Sequence, residues 1–131
     1  MKSTRKILDF VIEKTDTGFS AYSAEFPIYT TGRNISELLT NAVEAANLFF
    51  ENEHVLIKPH NINLEVDLKQ FFTYYRVLNA KFLAERIGMS ESLLSQYVKG
   101  RKKPSKKQTE RILAGIHEIG KELSDINLIY N

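Results

Sequence analysis

Apolar and polar positions alternate with a period of two along the first part of the chain, and with a helical period along the second. Over residues 5–14 (RKILDFVIEK), Leu8, Phe10 and Ile12 fall on one side of an extended chain and Asp9, Val11 and Glu13 on the other, which predicts a half-buried strand. Asp16-Thr17-Gly18 is a turn signal. Residues 19–26 (FSAYSAEF) predict a second strand, aromatic at Phe19, Tyr22 and Phe26, so the two pair as a hairpin. Pro27 stops the ladder or lies at its edge, and Ile28–Thr31 is a third short strand. Gly32-Arg33-Asn34 turns the chain. Asn34 with Glu37 has the spacing of a capping box, which opens a helix over residues 35–53. Its apolar face is Ile35, Leu39, Ala42, Ala46 and Phe49, flanked by Leu38, Ala45 and Phe50. After a loop containing Pro59, Asn61–Asp67 alternates again through Ile62, Leu64 and Val66. The order β-β-β-α-β predicts an α+β layer, one helix packed on an antiparallel sheet, over residues 1–67.

From Asp67 onward the signals are helix starts. Asp67 with Gln70 has capping-box spacing before Leu68–Val77, Asn79 and Ser90 are N-caps, and Ser105 with Gln108 is a further box. The last helix, about 106–123, is expected to bury Ile112, Ile116, Ile119 and Leu123. The tail from Asp125 is apolar at Ile126, Leu128, Ile129 and Tyr130, so it is expected to pack on the domain or on a partner chain. Residues 68–131 therefore predict an all-α domain, joined to the first without a Gly/Ser-rich linker.

Within it, NAKFLAERIGMSESLLSQYVKGRKKP (79–104) has the spacing of a helix-turn-helix. One short helix carries Phe82, Leu83, Ala84 and Ile87 and runs into Gly88, which takes the positive φ that ends a helix. A second carries Leu93, Leu94, Tyr97 and Val98. Ala84 is small enough for the second helix to cross closely over the first. The second helix is the element such a motif offers to a DNA major groove.

Charge sharpens that picture. Residues 1–68 hold six Lys/Arg against ten Asp/Glu, net −4, and residues 69–131 hold twelve against six, net +6. The basic half suits nucleic acid and the acidic half suits a basic protein. Composition is ordinary for a globular chain, with 43% hydrophobic and 26% charged residues. No apolar run is long enough to span a bilayer. The N-terminal apolar stretch is broken by Asp9 and Glu13, which argues against a signal peptide and for a cytoplasmic protein without membrane partners. There is no Cys, and His54, His60 and His117 have no metal-ligand spacing, so neither a metal nor a cofactor is expected. Asp9, Asp16, Glu25 and Glu65 are the residue type of a metal-dependent nuclease, but no spacing pairs them. Ser23, Ser36 and Ser92 lack a partnering His and a G-x-S-x-G turn. No catalytic residue is assigned, and the chain is not expected to be an enzyme.

The candidate site is a DNA surface. Lys99, Arg101, Lys102, Lys103, Lys106 and Lys107 crowd into nine positions after the second motif helix, where phosphates would pass. Base readout falls to Ser90, Glu91, Ser92, Ser95 and Gln96. Gln96 matches an adenine edge, Glu91 a cytosine amine, and serine several bases.

These residues resemble two known pieces. Leu83, Ala84, Gly88, Ser90, Ser95, Gly100, Pro104 and Ser105 match the Cro/repressor-type (XRE-like) helix-turn-helix pattern LAxxxGxSxxxxSxxxxGxxxPS, with Ala80 and Val98 where that family often has Gln and Glu. The first half is similar to HicB-type antitoxins at Tyr22, Ala24, Phe26, Pro27, Thr30, Gly32, Asn34, Glu37, Asn41, Ala42, Glu44 and Ala45. It lacks that family's Asp-x-Pro-Gly loop and has Leu38 for the usual Ala. The resemblance implies a partial ribonuclease-H-like layer without a working active site, joined to a DNA-binding domain. It implies an antitoxin of a type II toxin–antitoxin system, which neutralises a small basic HicA-like ribonuclease and represses its own operon by binding operator DNA as a homodimer or higher oligomer. The alternatives are a stand-alone transcriptional regulator of the same fold and an active ribonuclease-H-like hydrolase.

Overall fold

A computed structural model describes residues 2–127. The apolar tail residues Leu128, Ile129 and Tyr130 lie outside them. The chain divides into two compact units between Tyr74 and Tyr75.

The first unit is built on one central strand. β1 (Lys2–Ser3) precedes β2 (Leu8–Thr15), β3 (Gly18–Ser23) and β4 (Tyr29–Gly32). α1 (Ile35–Phe49) follows, then β5 (Val55–Leu56) and β6 (Ile62–Val66), with short 3-10 turns at Glu51–Glu53 and Pro59–Asn61. The main sheet has the order β4-β3-β2-β6, and β1 pairs with β5 in a separate two-stranded ladder. β2 and β3 form the expected hairpin, and β3 and β4 are also antiparallel. β6, however, runs parallel to β2, with Leu8 opposite Ile62 and Ile12 opposite Val66. The sheet is thus mixed rather than antiparallel. The reason lies in the connection. α1 carries the chain back along the sheet after β4, so the next strand must run in the direction of β2.

Leu8, Phe10, Ile12, Ala21, Leu38, Ala42, Ala46, Phe50 and Ile57 close the core between the sheet and α1. The buried stripe of α1 is Leu38, Ala42 and Ala46. The outer expected positions turn outward, leaving Ile35 at 45% and Phe49 at 44% exposure. α1 also ends before residue 53. Phe50 caps it and turns its ring into the core, edge-on to Phe26 at 5.1 Å. Strand 19–26 stops at Ser23 because the Ser23 hydroxyl oxygen accepts the Glu25 and Phe26 N–H groups, at 3.3 and 3.1 Å, and bends the chain out of the ladder.

α2 (Leu68–Tyr74) belongs to this unit rather than to the helical one, which moves the boundary seven residues past the expected 67. Asp67 caps it as expected, accepting the Gln70 N–H at 3.1 Å. The Gln70 side chain does not close a capping box. It accepts the Lys14 N–H at 2.8 Å and donates to the Lys14 carbonyl at 2.7 Å, so it continues the β2 ladder where β6 has ended. The Tyr74 hydroxyl donates to Asp16 at 3.0 Å. The helix stops there, and Val77, 88% exposed, has no apolar surface to extend it.

The second unit contains α3 (Ala80–Ile87), α4 (Glu91–Val98) and α5 (Lys106–Ser124). Ile112 and Gly115 are the buried positions of α5, Ile116 and Ile119 are half-buried, and Leu123 is 62% exposed, contrary to expectation. At that end of α5 the side chain reached from α3 is Glu122, which pairs with Arg86. Among the described residues, no helix is long and apolar enough to cross a membrane.

Asn61 is wholly buried and holds the first unit's periphery together. Its Nδ2 donates to the Thr4 and Lys6 carbonyls at 2.9 and 2.8 Å, and its Oδ1 accepts the Lys58 N–H at 2.9 Å. Asn61→Ala would strand three backbone groups. We expect it to lower unfolding free energy by about 2–4 kcal/mol, read by urea denaturation.

Candidate nucleic-acid interface

α3, α4 and α5 build this surface, and local chemistry sets each of their ends. α3 begins on Asn79, whose Oδ1 accepts the Phe82 N–H at 3.2 Å, and it buries Leu83 and Ala84. It ends at Gly88, where φ is +68°. There the Met89 N–H bonds the Ala84 carbonyl at 2.9 Å and the Gly88 N–H bonds the Glu85 carbonyl at 3.3 Å. This is the paired closure in which the residue after the glycine turns inward, and Met89 is buried accordingly. α4 ends in the same way. Gly100 has φ +73°, the Arg101 N–H reaches the Gln96 carbonyl at 2.9 Å, and the Gly100 N–H reaches Tyr97 at 3.1 Å.

α5 locks the corner between α3 and α4 from outside. Ser105 opens it by accepting the Gln108 N–H at 3.1 Å. Arg111 Nη2 then donates to the Ile87 carbonyl at 2.7 Å and to the Gly88 carbonyl at 2.9 Å, satisfying groups that the end of α3 leaves open. A Cβ built on Gly115 would lie 2.4 Å from Ile87 Cγ2, so no larger residue fits this crossing. Arg86 pairs with Glu118 at 3.7 Å and also with Glu122. Neither Arg111 nor Gly115 stands out in the sequence. Arg111 acts on residues more than twenty positions away, and no local pattern announces that.

The readout candidates share one face of α4. Glu91, Ser92 and Gln96 are exposed, Ser95 is half-buried, and Lys99 at the C-cap is exposed. At about 100° per residue, positions 91, 92, 95, 96 and 99 fall within about 140° of arc. Leu94 and Tyr97, the buried positions, lie on the opposite side. Ser90, the N-cap, precedes the first helical residue and falls outside that arc. Its Oγ accepts the Leu93 N–H at 3.3 Å, so its acceptor is engaged and its O–H remains a donor.

Arg101, Lys102, Lys103, Lys106 and Lys107 are exposed in the loop and first turn that follow. Arg101 and Lys102 are drawn onto α4 through backbone bonds to the Gln96 carbonyl, at 2.9 and 3.3 Å. Cations at this C-terminal end agree with the helix dipole. Lys106 and Lys107 oppose it, because they occupy the first turn of α5, which has no acidic residue. An anion bound there would offset that positive charge, and N–H groups of a helix start are donors suited to phosphate.

The first unit's carboxylates are dispersed. Asp9 and Glu65 each accept from Asn63 Nδ2, at 2.9 and 3.3 Å. Asp16 lies in the β2–β3 turn, bonded to Tyr74, and Glu25 is exposed beyond β3. His54, His60 and His117 are exposed. Among the described residues, no group of three or more His, Cys, Asp or Glu is placed to hold a metal ion.

No family model, curated protein or solved structure matches this chain.

The corner predicts its own sensitivity. Gly88→Ala forces a Cβ into left-handed backbone with open room around it, the nearest atom being Arg111 Nη2 at 3.5 Å. The cost is therefore conformational, about 1–2 kcal/mol in urea unfolding.

Proposed function

We propose that the chain is a DNA-binding antitoxin. In this reading its helical unit binds operator DNA through α4 and represses its own operon. Its first unit holds a small, basic HicA-like ribonuclease, and the chain acts in the cytoplasm as a homodimer or higher oligomer. One observation carries the DNA half: Glu91, Ser92, Ser95 and Gln96 form a single polar face that runs without a break into six cations. Polar groups on a short exposed helix read base edges, and flanking Lys and Arg hold phosphates. Two-fold pairing doubles the contacts that one short helix can make.

The toxin half is supported by the resemblance to HicB antitoxins and by charge. Strand register places Asp9, Glu13, Glu65, Tyr22 and Tyr29 on the sheet face turned away from the core formed with α1. Among the described residues, no Lys or Arg occupies a strand position on that face. A surface of carboxylates and tyrosines complements a cationic protein.

The test is a gel shift on duplexes from the DNA upstream of the chain's own coding region. Binding is expected to weaken steeply with salt. Lys102→Ala should reduce the slope of log K against log salt by about 1, at all sequences alike. Gln96→Ala should cost about 1–3 kcal/mol on the preferred sequence and little elsewhere. Absence of a shift at low salt, or a shift indifferent to both changes, removes the DNA reading. Co-purification with the product of a neighbouring short, basic reading frame separates an antitoxin from a stand-alone regulator.

A further inference from the structure

We infer that the outer edge of β6, with the flank of α1 beside it, receives an extended segment of a partner protein as an added strand, a segment in which apolar residues alternate with Lys or Arg. The inference deepens the reading of the first unit as the holder of a basic protein. It rests on that reading for the partner's charge and names the element the partner offers.

The main chain comes first. The sheet order β4-β3-β2-β6 ends at β6, and among the described residues no strand pairs with its other side. In a parallel ladder alternate residues turn their N–H and C=O groups to the neighbouring strand. The Asp67 N–H reaches the Ile12 carbonyl at 3.2 Å, and Glu65 is registered with Val11, so residues 63, 65 and 67 face β2. Leu64 and Val66 therefore direct their main-chain groups to the outer edge, where they form a template for another strand.

Beside that edge runs a strip of apolar surface that the fold leaves uncovered. Ile62, Leu64 and Val66 point to the core side, in register with Leu8, Phe10 and Ile12. Yet all three are half-buried, whereas their β2 neighbours are 2%, 0% and 5% exposed. α1 continues the strip. Asn41 marks the β4 flank of the helix by donating to the Thr31 carbonyl at 2.8 Å. Ile35, Leu39 and Val43 lie across the buried stripe from Asn41, on the β6 side. Ile35 is 45% exposed, and the other two are half-buried. They recur every fourth residue, about 6 Å along a helix, and the β6 side chains every second residue, about 6.7 Å along a strand. The two rows keep step, and a strand added beside β6 lays every second side chain onto both.

The intervening side chains of that strand fall on the opposite face, next to Asn63 and Glu65, with Asp9 on the adjoining strand. Asn63 Nδ2 donates to the Asp9 and Glu65 carboxylates at 2.9 and 3.3 Å and holds them together. Carboxylates beside these seats select Lys or Arg. Strand addition takes its affinity from main-chain bonds and its specificity from alternate side chains. Apolar and cationic residues in alternation are thus the signature of the occupant.

The probe is a short acetylated and amidated peptide alternating valine and lysine, added to the full chain, with amide hydrogen exchange read residue by residue by NMR. At saturation the Leu64 and Val66 amides should slow about tenfold or more, while the amides of β4, the opposite edge, stay as they were. The same peptide with proline at its centre should not bind. Glu65→Lys should weaken binding about tenfold, and Ile35→Gln about fivefold. If either variant misfolds, the wild-type exchange pattern decides alone. No binding at millimolar peptide overturns the inference, as does binding that leaves the Leu64 and Val66 amides unprotected. Strand addition without co-purification of a basic protein keeps this edge site and removes the antitoxin reading. Co-purification that survives Ile35→Gln combined with Glu65→Lys keeps the antitoxin reading and removes this site.

Discussion

The corner between α3 and α4 is the constraint on which the helical unit depends. A positive φ at Gly88 sets the chain direction, and the Met89 N–H on Ala84 seals the helix end. Arg111 then ties the Ile87 and Gly88 carbonyls to α5. A backbone torsion, a main-chain bond and a charged side chain from a different helix thus act on the same few atoms. The exposed face of α4 takes its orientation from that corner. So does the entry of the basic loop, because α4 ends in the same glycine-closed geometry at Gly100. The readout candidates on α4 are therefore held in place by main-chain geometry.

What was legible in the sequence was mostly local. Asn34, Asn79, Ser90 and Ser105 each cap the helix they were expected to cap, because a cap is decided within four residues. Gly88 was legible for the same reason. The direction of β6 was not, since alternation through Ile62, Leu64 and Val66 looks the same in a parallel and an antiparallel strand. The buried stripe of α1 was misplaced at its ends because the helix is apolar around much of its circumference, and only contact with the sheet selects Leu38, Ala42 and Ala46. Gln70 shows the same limit. Its spacing from Asp67 satisfied a local rule, while its side chain serves Lys14, 56 residues away.

For the candidate site, the residues and their common face followed from helical periodicity, whereas the supports did not. Arg111, Gly115 and the Arg86 pairs act across helices, and nothing in their neighbours' sequence marks them. Charge was legible as a total for each half, and the structure gave it positions. Lys99 and Arg101 lie where the dipole of α4 welcomes them, and Lys106 and Lys107 where the dipole of α5 does not.

The parallel pairing of β2 with β6 also shapes how the chain comes to be folded. β2 and β3 meet across a two-residue turn, but β2 and β6 meet only after some fifty intervening residues, including all of α1, have been ordered. Loop-closure entropy opposes that step, and contacts of such wide sequence separation slow folding. During synthesis the hairpin waits with Leu8, Phe10 and Ile12 uncovered until α1 has emerged, and with one flank of β2 unpaired until residue 66 has. The contacts among α3, α4 and α5 close over far shorter spans. The two units thus meet opposite kinetic demands: the first is exposed to mispairing while it waits, and the second is free to form as soon as its helices are made.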